Sequence, residues 1–456
     1  MSQQSLPIES PTLVSSTWMS ALPQPQRCPA SADIVIIGGG IVGVSTAWFL
    51  AQRGLQVVLC EKGHIAGEQS SRNWGWVRVQ GRDPREVPIM LESLRIWPTL
   101  KRALGEDVGF HNGGCLYAAR TEKQLSAYDG WLRTAREYGI DSEIINQKQL
   151  CDLVGDAGKT WHGALYTATD GRAEPHKATP AIARAAQRAG AQILPATAVR
   201  GVVTEAGRVA GVVTERGEIR TSTVLCAAGA WSSHFCRSLG ISLPQLRVRG
   251  IVARTSQADL PLTGNLFDAK VGIRKRQDGG YTVAHGSILD HGITPSTLRH
   301  SFKFLPALRR EIGVLRLRLG KDFWQELTMP SRWELDQPSP YETHRVLNPP
   351  VSERIVRRLK ANLAATFPAL SQVNIVEAWA GMVETSPDVV PIIGPETTLP
   401  GFFHATGFSG HGFGFGPGAG KVIAEMLVGD APSHDLSSFR LERFFDGSRI
   451  QPQAAF

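Results

Sequence analysis

The hydrophobic pattern near the N-terminus predicts a strand, a helix and a second strand in direct succession. Residues 33–37 form a short apolar run, residues 41–53 repeat apolar positions at helical spacing, and residues 55–60 form a second apolar run. Two strands joined through a helix pair in parallel by a right-handed crossover. This part of the chain is therefore predicted to be a βαβ unit.

Further along the chain, signals for helices, hairpins and buried strands alternate. Apolar alternation between residues 246 and 283, with a turn at Asp278-Gly-Gly280, favours antiparallel strands. The other predicted elements are a helix over 178–189 and strands over 192–194, 199–203, 209–214, around Ile219 and over 223–227. The pattern predicts an α/β fold of the α+β kind, in which a Rossmann-like domain with a parallel sheet is interleaved with an antiparallel-sheet domain.

A basic amphipathic segment near the middle of the chain is predicted to form one helix over residues 304–319. We expect it to pack on its own domain, and peripheral contact with a membrane surface is the alternative. The residues on its predicted apolar face are Leu305, Leu308, Ile312, Leu315 and Leu319.

Glycine-rich sequence returns close to the C-terminus, so the chain is predicted to enter its nucleotide-binding domain three times. The predicted division is an N-terminal arm over 1–30, a nucleotide-binding domain over 31–110, 165–240 and 365–440, a substrate-binding domain over 111–164 and 241–364, and a C-terminal tail over 441–456.

Composition excludes several classes of protein. The 456 residues carry a net charge of +8, but no run of five or more like charges occurs, so no nucleic-acid partner is expected. The six cysteines lack paired or CxxC spacing, which indicates reduced structural thiols and no metal site. Residues 1–31 lack a signal-peptide pattern and no 18-residue apolar run occurs. We expect a cytoplasmic protein that does not span a membrane, and the oligomeric state stays open.

The segment Gly38-Gly-Gly40-Ile-Val-Gly43 follows the first predicted strand and opens the first predicted helix. Its glycines allow a tight turn, close approach of backbone N–H groups to a pyrophosphate, and close packing of helix on strand. Glu61 ends the following strand, where its carboxylate can accept hydrogen bonds from both ribose hydroxyls. The spacing predicts a dinucleotide site and leaves FAD and NAD as alternatives.

A second glycine-rich segment resembles a phosphate-binding loop only superficially. In Gly418-Ala-Gly420-Lys421 the position five before Gly420 is Phe415 and the residue after the lysine is Val422. The glycine and the hydroxyl that phosphate and magnesium need are missing, so this segment is not predicted to bind a nucleotide.

The chain resembles the D-amino-acid oxidase superfamily, the group that includes glycine oxidase, D-amino acid dehydrogenase and monomeric sarcosine oxidase. The resemblance covers roughly residues 32–430 and rests on several motifs in a fixed order. These motifs are the glycine fingerprint with Glu61-Lys62, Ser70-Ser-Arg-Asn73, Gly171 to Pro175, Val224-Leu-Cys-Ala-Ala-Gly229-Ala-Trp231, Trp379 to Gly394, and Gly407-Phe-Ser-Gly-His-Gly412.

This resemblance implies FAD in an extended pose, and no second fingerprint for a nicotinamide cofactor is present. The helix that starts near Gly416 would direct its positive end at the flavin, which carries negative charge when reduced. The residues implied to contact FAD are Gly38, Gly40, Ile41, Val42, Gly43, Glu61, Lys62, Ser70, Ser71, Arg72, Asn73, Trp74, Val199, Ala228, Gly229, Trp231, Gly381, Gly407, Gly410, His411, Gly412, Phe413 and Gly414.

The positions that hold chemistry in relatives are changed in this chain. Val383 and Gly414 stand where relatives place a carboxylate-binding arginine and lysine, so the pocket is expected to be roomier and less polar. Gly381 and Asn73 stand near positions of flavin-linking cysteine and histidine residues, so FAD is expected to be non-covalent. The lysine that sarcosine oxidase uses toward oxygen aligns near Tyr281, which leaves oxygen and a respiratory or other carrier as alternative electron acceptors.

The substrate is expected to be a small amine or amino acid, oxidised at its C–N bond by hydride transfer to the flavin, with an imine that water then hydrolyses. Arg78 is the first candidate for the carboxylate partner, with Arg274 and Arg276 as alternatives, and Trp76 is a candidate aromatic wall. His411 is a candidate acid or base. Oxidation of a 2-hydroxy acid, or a flavin-binding subunit of a larger dehydrogenase, are the alternative functions.

Overall fold

The computed structural model describes residues 28–286, 289–311, 313 and 315–452. Most of the predicted N-terminal arm, and Ile312 of the predicted amphipathic helix, lie outside the described residues. Among the described residues, no helix combines the length and apolar content needed to cross a bilayer.

The parallel sheet predicted from the N-terminal pattern is present. Within the described part of the chain its order is β20-β21-β12-β1-β2-β8, and every neighbouring pair is parallel except β20 with β21. Its strands are β1 Ile34–Ile37, β2 Val57–Cys60, β8 Gln192–Leu194, β12 Val224–Cys226, β20 Ile392–Pro395 and β21 Phe402–Thr406.

A larger, mostly antiparallel sheet is built around the long pair β13 and β19. In the described residues, parallel pairing occurs in it between β14 and β4 and between β17 and β18. Its strands are β4 Cys115–Ala119, β5 Ser142–Asn146, β6 Gly163–Thr167, β13 Leu246–Thr255, β14 Asn265–Phe267, β15 Gly272–Lys275, β16 Tyr281–Ala284, β17 Leu289–Gly292, β18 Leu315–Arg318 and β19 Ile375–Thr385.

Two small sheets complete the strands of the described region. The hairpin region predicted after residue 199 forms an antiparallel sheet in the order β11-β10-β9, and β3 pairs with β7. These strands are β3 Trp76–Val77, β7 Gly171–Arg172, β9 Val199–Glu205, β10 Arg208–Thr214 and β11 Gly217–Arg220.

Helices cover both sheets, and the fold class predicted from the sequence is confirmed. The α-helices among the described residues are α1 Ile41–Ala51, α2 Gln69–Arg72, α3 Val87–Ile96, α4 Leu100–Leu104, α5 Glu122–Ser126, α6 Asp129–Glu137, α7 Gln147–Val154, α8 Pro175–Arg188, α9 Ser232–Ser238, α10 Pro295–Glu311, α11 Lys321–Thr328, α12 Pro340–Thr343, α13 Glu353–Thr366 and α14 Gly412–Leu427.

The main apolar core of the parallel-sheet region lies where α1 and α14 pack beside each other. Val44, Ala47 and Leu50 of α1 are buried with Val422 and Ile423 of α14. A second core covers one face of the larger sheet and is closed by α13. The two helices α1 and α14 thus bring their N-termini to the same side of the parallel sheet.

One sequence prediction about element placement differs from the structure. The predicted helix over 304–319 is wrong in its bounds: α10 ends at Glu311, and Leu315–Arg318 is a strand in which leucine and arginine alternate with the period of two that suits β-structure. Within the segment 365–440, which the sequence assigns to the nucleotide-binding domain, the strand Ile375–Thr385 pairs with β13 of the larger sheet.

Candidate functional site

A cavity of about 640 Å³ is lined by residues of both large sheets. Of the predicted cofactor and catalytic residues, the structure brings most to its wall. Those that line it are Gly38, Gly40, Ile41, Val42, Glu61, Lys62, Ser70, Arg72, Asn73, Trp74, Trp76, Arg78, Val199, Ala228, Gly229, Trp231, Gly381, Gly410, His411, Gly412 and Phe413.

The glycine loop between β1 and α1 packs too closely for side chains. Gly38 has a φ of +113°, and a Cβ atom on it would lie 2.4 Å from the carbonyl oxygen of Ala227. Gly43 does not line the cavity, because it packs inward: a Cβ there would lie 2.1 Å from the carbonyl oxygen of Gly38. The loop therefore holds its backbone at the N-terminus of α1, where a helix favours anionic groups.

Glu61 extends from the end of β2 into the cavity wall. Its Oε2 accepts the N–H of Gly39 at 2.7 Å, and its Oε1 accepts the N–H of Gly63 at 2.7 Å. Burial raises the pKa of this carboxyl. Each carboxylate oxygen can accept a further hydrogen bond, so Glu61 is fixed in place with capacity left for ribose hydroxyls.

The polar groups of Lys62 and Ser70 are bonded to neighbouring residues of the chain and so stabilise the cavity wall. The Lys62 ammonium donates to Glu68 at 2.8 Å and lies 4.6 Å from the ring centroid of Trp231. The Ser70 hydroxyl accepts the N–H of Ile41 at 2.9 Å. Ser71, which was predicted beside it, does not line the cavity and donates to the carbonyl of Glu68.

The N-terminus of α14 meets the same cavity. Gly410, His411, Gly412 and Phe413 line it, and His411 is the N-cap residue directly before the helix. Gly407 and Gly414, also predicted to contact the cofactor, do not line the cavity; a Cβ on Gly414 would lie 2.9 Å from the carbonyl oxygen of Trp76. The positive ends of α1 and α14 thus both face one cavity.

His411 is half-buried beside a carboxylate that the sequence analysis missed. Its Nδ1 lies 3.2 Å from Oε2 of Glu86, which is fully buried. Burial lowers the pKa of His411 to about 4, so the imidazole is neutral near pH 7. Burial alone would raise the pKa of Glu86, but His411 and Arg82 together lower it. In this pair the neutral ring donates from Nδ1, which makes Nε2 an acceptor.

Arg274, an alternative candidate for the carboxylate partner, lies outside the cavity. It is 1 % exposed, and its guanidinium forms a buried ion pair with Glu174 at 3.0 Å. Its Nε also donates to the carbonyl of Trp74. Arg276 pairs with Asp278 at 3.0 Å. Both guanidiniums are therefore occupied by carboxylates of the chain itself.

Arg78 lies in the cavity wall with aromatic rings around it. Its guanidinium carbon is 5.4 Å from the ring centroid of Tyr117, and its Nη1 donates to the carbonyl of Gln80. Trp76 and Trp74 also line the cavity, with ring centroids 5.1 Å apart. These side chains form a charged patch inside an aromatic enclosure.

Three further residues of this wall had been missed by sequence reasoning: Arg82, Tyr117 and Glu384. Arg82 lies four residues after Arg78 in the sequence, but only the fold shows that its side chain is buried. Glu384 is next to the singled-out Val383, and its Oε2 has no hydrogen-bond partner among the described residues. Its Oε1 accepts the N–H of Phe408 at 3.4 Å.

The cavity fits FAD by its chemistry. It offers a glycine cradle, a carboxylate for a ribose, two helix N-termini for anionic groups, and at Glu384 a buried polar oxygen without a partner in the described residues. In the described region no cluster of three or more metal-binding side chains occurs. Of the cysteines, Cys60 lines the cavity, and burial raises its pKa.

Comparison with known proteins agrees with this geometry. The family of FAD dependent oxidoreductases matches residues 33–426, and the chain belongs to that family. It is an oxidoreductase with FAD as its cofactor. The resemblance to the D-amino-acid oxidase superfamily is confirmed.

Individual relatives are distant in sequence but cover nearly the whole chain. Sarcosine dehydrogenase of Mus musculus is 25% identical over 97% of this chain, and the chain spans 45% of that relative's length. Sarcosine oxidase subunit beta of an Arthrobacter species is 26% identical, with 96% of both chains covered. L-Amino acid deaminase of Proteus myxofaciens, solved in complex with anthranilate, has 32% identity and a TM-score of 0.89, covering 92% of this chain and 95% of its own.

Glu384 generates a prediction about pH. Burial raises the pKa of Glu384 from 4.5 to about 7. Between these two pH values the folded protein keeps a proton that the unfolded chain has already released. Stability is therefore lost as the pH rises through that window, by on the order of 2 kcal/mol between pH 5 and 8. Glu384→Gln should remove this loss, so the variant should gain stability over the wild type at pH 8 and little at pH 5.

Urea unfolding of the FAD-free protein at the two pH values measures the difference. Glu218→Gln is the matched control, because Glu218 is exposed on β11. Equal stability changes for Glu384→Gln at pH 5 and pH 8 would contradict a carboxyl that is neutral in the folded state.

Proposed function

We propose that this protein oxidises the C–N bond of an amino acid or N-substituted amino acid. The observation that carries the proposal is Arg78, a guanidinium in the cavity wall that forms no ion pair with a carboxylate in the described part of the chain. Arginine suits bidentate binding of a carboxylate. FAD, when bound, supplies the hydride acceptor at flavin N5, and the imine product is hydrolysed by water.

The chain's own residues bind and orient the substrate. Arg78 fixes the carboxylate, while Trp74, Trp76 and Phe267 exclude water from the reacting carbon; Trp74 and Phe267 have ring centroids 6.3 Å apart. Orientation of this kind contributes much of the rate enhancement in enzymes that borrow their chemistry from a cofactor.

Part of the cavity wall is apolar and suits a side chain or N-substituent larger than that of glycine. Phe304 and Leu308 of α10 and Leu315 of β18 line it. The names of the relatives, sarcosine dehydrogenase and L-amino acid deaminase among them, support an amino acid substrate with or without an N-substituent.

A second candidate, oxidation of a 2-hydroxy acid, is favoured by the pair of His411 and Glu86. A hydroxyl must lose its proton as hydride leaves, and a neutral imidazole oriented by a carboxylate can accept that proton. A third, a flavin-binding subunit that acts with a partner chain, is supported by the match to sarcosine oxidase subunit beta over 96% of both chains.

Anaerobic mixing of the FAD-loaded protein with a substrate panel separates these functions. Panels of L- and D-amino acids, N-methyl amino acids and 2-hydroxy acids are compared by loss of flavin absorbance. We expect reduction by amino acids or N-methyl amino acids. Reduction by hydroxy acids alone would replace the first proposal by the second, and reduction only after a partner chain is added would favour the third. Hydrogen peroxide formed in air then distinguishes oxygen from another acceptor.

Arg78→Ala should raise KM for the best substrate of this panel strongly, by about 10-fold or more, because a charge-assisted hydrogen bond contributes roughly 1.5–3 kcal/mol. FAD content should stay at the wild-type level. Arg95→Ala is the control, since the Arg95 side chain is 70% exposed in the Glu92 pair. An unchanged KM for Arg78→Ala removes this residue from the substrate site.

We also propose that the segment 295–328 rests on an anionic membrane surface, with the protein on the cytoplasmic side. Leu298, Phe302 and Trp324 are 62%, 88% and 65% exposed, an unusual concentration of large apolar side chains at a surface. Exposed basic side chains lie beside them, among them Arg299 and Lys321. Apolar insertion combined with basic charge is the chemistry of interfacial helices.

Sedimentation with lipid vesicles tests this contact. The wild type should bind vesicles that contain phosphatidylglycerol and bind pure phosphatidylcholine vesicles several-fold less, because basic side chains add attraction to anionic lipid. Leu298→Glu with Phe302→Glu should lower the bound fraction several-fold. Val376→Glu, a change at an apolar residue of β19 that is 50% exposed, should leave it unchanged. A wild-type protein that stays in the supernatant contradicts the proposal.

A further inference from the structure

Arg82 is a buried arginine in the cavity wall that the described contacts leave incompletely bonded. It lies in the loop after β3 and is 3% exposed. Its Nε donates to the carbonyl of Arg78 at 3.2 Å, and its Nη1 has no hydrogen-bond partner in the described part of the chain. A buried N–H group without a partner costs free energy, so such a group inside a cavity points to a ligand.

Arg78 and Arg82 lie together at this wall, because the Nε of Arg82 donates to the carbonyl of Arg78 and the Arg78 charge, after burial, is the next cause of the lowered pKa of Arg82. Within the described residues, neither forms an ion pair with a carboxylate. Two other buried arginines do, since Arg274 pairs with Glu174 and Arg443 with Asp388, each at 3.0 Å. Arg172, which is also buried, forms no ion pair among the described residues and donates from Nε to the carbonyl of Thr263.

The acidic groups around the two arginines are occupied. Glu86 is bonded to His411 at 3.2 Å. Asp170 accepts the N–H groups of Val79 and Gln80 at 2.6 and 3.2 Å, and burial raises its pKa to about 7. At neutral pH the region therefore carries two guanidinium charges against the charge of Glu86 and a partly protonated Asp170.

The remaining groups at this wall do not add negative charge. Burial lowers the pKa of His411, so its imidazole is neutral, and burial raises the pKa of the Tyr117 hydroxyl, so that hydroxyl stays protonated. The balance is positive by less than one charge, so a single monovalent anion is enough to neutralise it.

We propose that Arg82 and Arg78 together bind one carboxylate of the substrate, with Nη1 of Arg82 as a direct donor. This inference rests on the proposed amino acid oxidation and narrows its substrate class. Substrates must carry a carboxylate, so simple amines are excluded, and the carboxylate lies at the arginine end of the cavity while the substituent points toward Phe304 and Leu308. In this chain, Arg78 and Arg82 thus take the carboxylate-binding role that relatives give to cations at the positions of Val383 and Gly414.

Binding of benzoate and its neutral counterpart benzamide tests the pair without requiring turnover. Both are titrated into the FAD-loaded protein and followed by the change in flavin absorbance. The wild type should bind benzoate at least 10-fold more tightly than benzamide, because charge-assisted hydrogen bonds form only with the carboxylate. Equal affinities in the wild type would overturn the proposal without any variant being needed.

Variants then assign the effect to Arg82. Arg82→Gln should weaken benzoate binding by about 10- to 100-fold while benzamide changes less than about 3-fold, and Arg82→Lys should recover part of the loss. Arg95→Gln is the matched control at an exposed arginine. Wild-type benzoate affinity in Arg82→Gln would overturn the role of Arg82.

The outcome is separable from that of the proposed function. If no panel compound reduces the flavin but benzoate binding depends on Arg82, the carboxylate pocket stands and the proposed reaction fails. If amino acids reduce the flavin but benzoate binding is indifferent to Arg82, the reaction stands and the pocket assignment fails. In the same panel, amines without a carboxylate should reduce the flavin at least 10-fold more slowly than the matching amino acids.

Discussion

The arrangement of the site depends on how closely α14 packs against its neighbours. A Cβ atom on Gly416 would lie 2.9 Å from the side chain of Ile41, and one on Gly420 would lie 2.5 Å from the Cβ of Ser45. A Cβ on Gly418 would meet the carbonyl of Ile89 at 2.5 Å. Contacts this short are available only to glycine, so larger residues at these positions would push α14 away from α1 and α3.

Pro417 interrupts the backbone hydrogen bonds of α14, and one side-chain hydroxyl bonds to the backbone groups on both sides of it. The Ser93 hydroxyl donates to the carbonyl of Gly414 at 2.6 Å and accepts the N–H of Gly418 at 3.1 Å. The indole N–H of Trp97 donates to the same carbonyl at 2.8 Å. These bonds fix the first turns of the helix, and with them the position of His411 at the cavity. The glycines that resemble a phosphate loop in the sequence serve helix packing.

The sequence predicts the parallel sheet and the cofactor end of the site well, because both depend on local patterns. The run from residue 33 to residue 60 contains the strand, the helix, the glycines and Glu61 in one continuous stretch. The bounds of α10 were predicted poorly because the helical spacing of its leucines continues past Gly313 into the strand Leu315–Arg318. Over so few positions, a helical period and a period of two cannot be told apart.

The substrate end could be predicted only in part, because a side chain's role there is decided by residues far away in the chain. Arg78 and Arg274 look equivalent in the sequence, yet Glu174 lies 100 positions from Arg274 and occupies its guanidinium. Arg82 shows no sequence signal of its own that separates it from other arginines. Only the fold brings it beside Arg78 and buries it.

Burial affects the carboxyl groups and the guanidinium groups of this cavity differently. A carboxyl such as Glu384 can avoid the cost of burial by keeping its proton, and its raised pKa reflects that. A guanidinium cannot become neutral near pH 7, even with the pKa of Arg82 lowered to about 10. Arg82 therefore needs an anion, whereas Glu384 needs only a hydrogen-bond partner. This difference explains why the arginine pair, and not the buried acid, is the part of the cavity that selects the charge of its ligand.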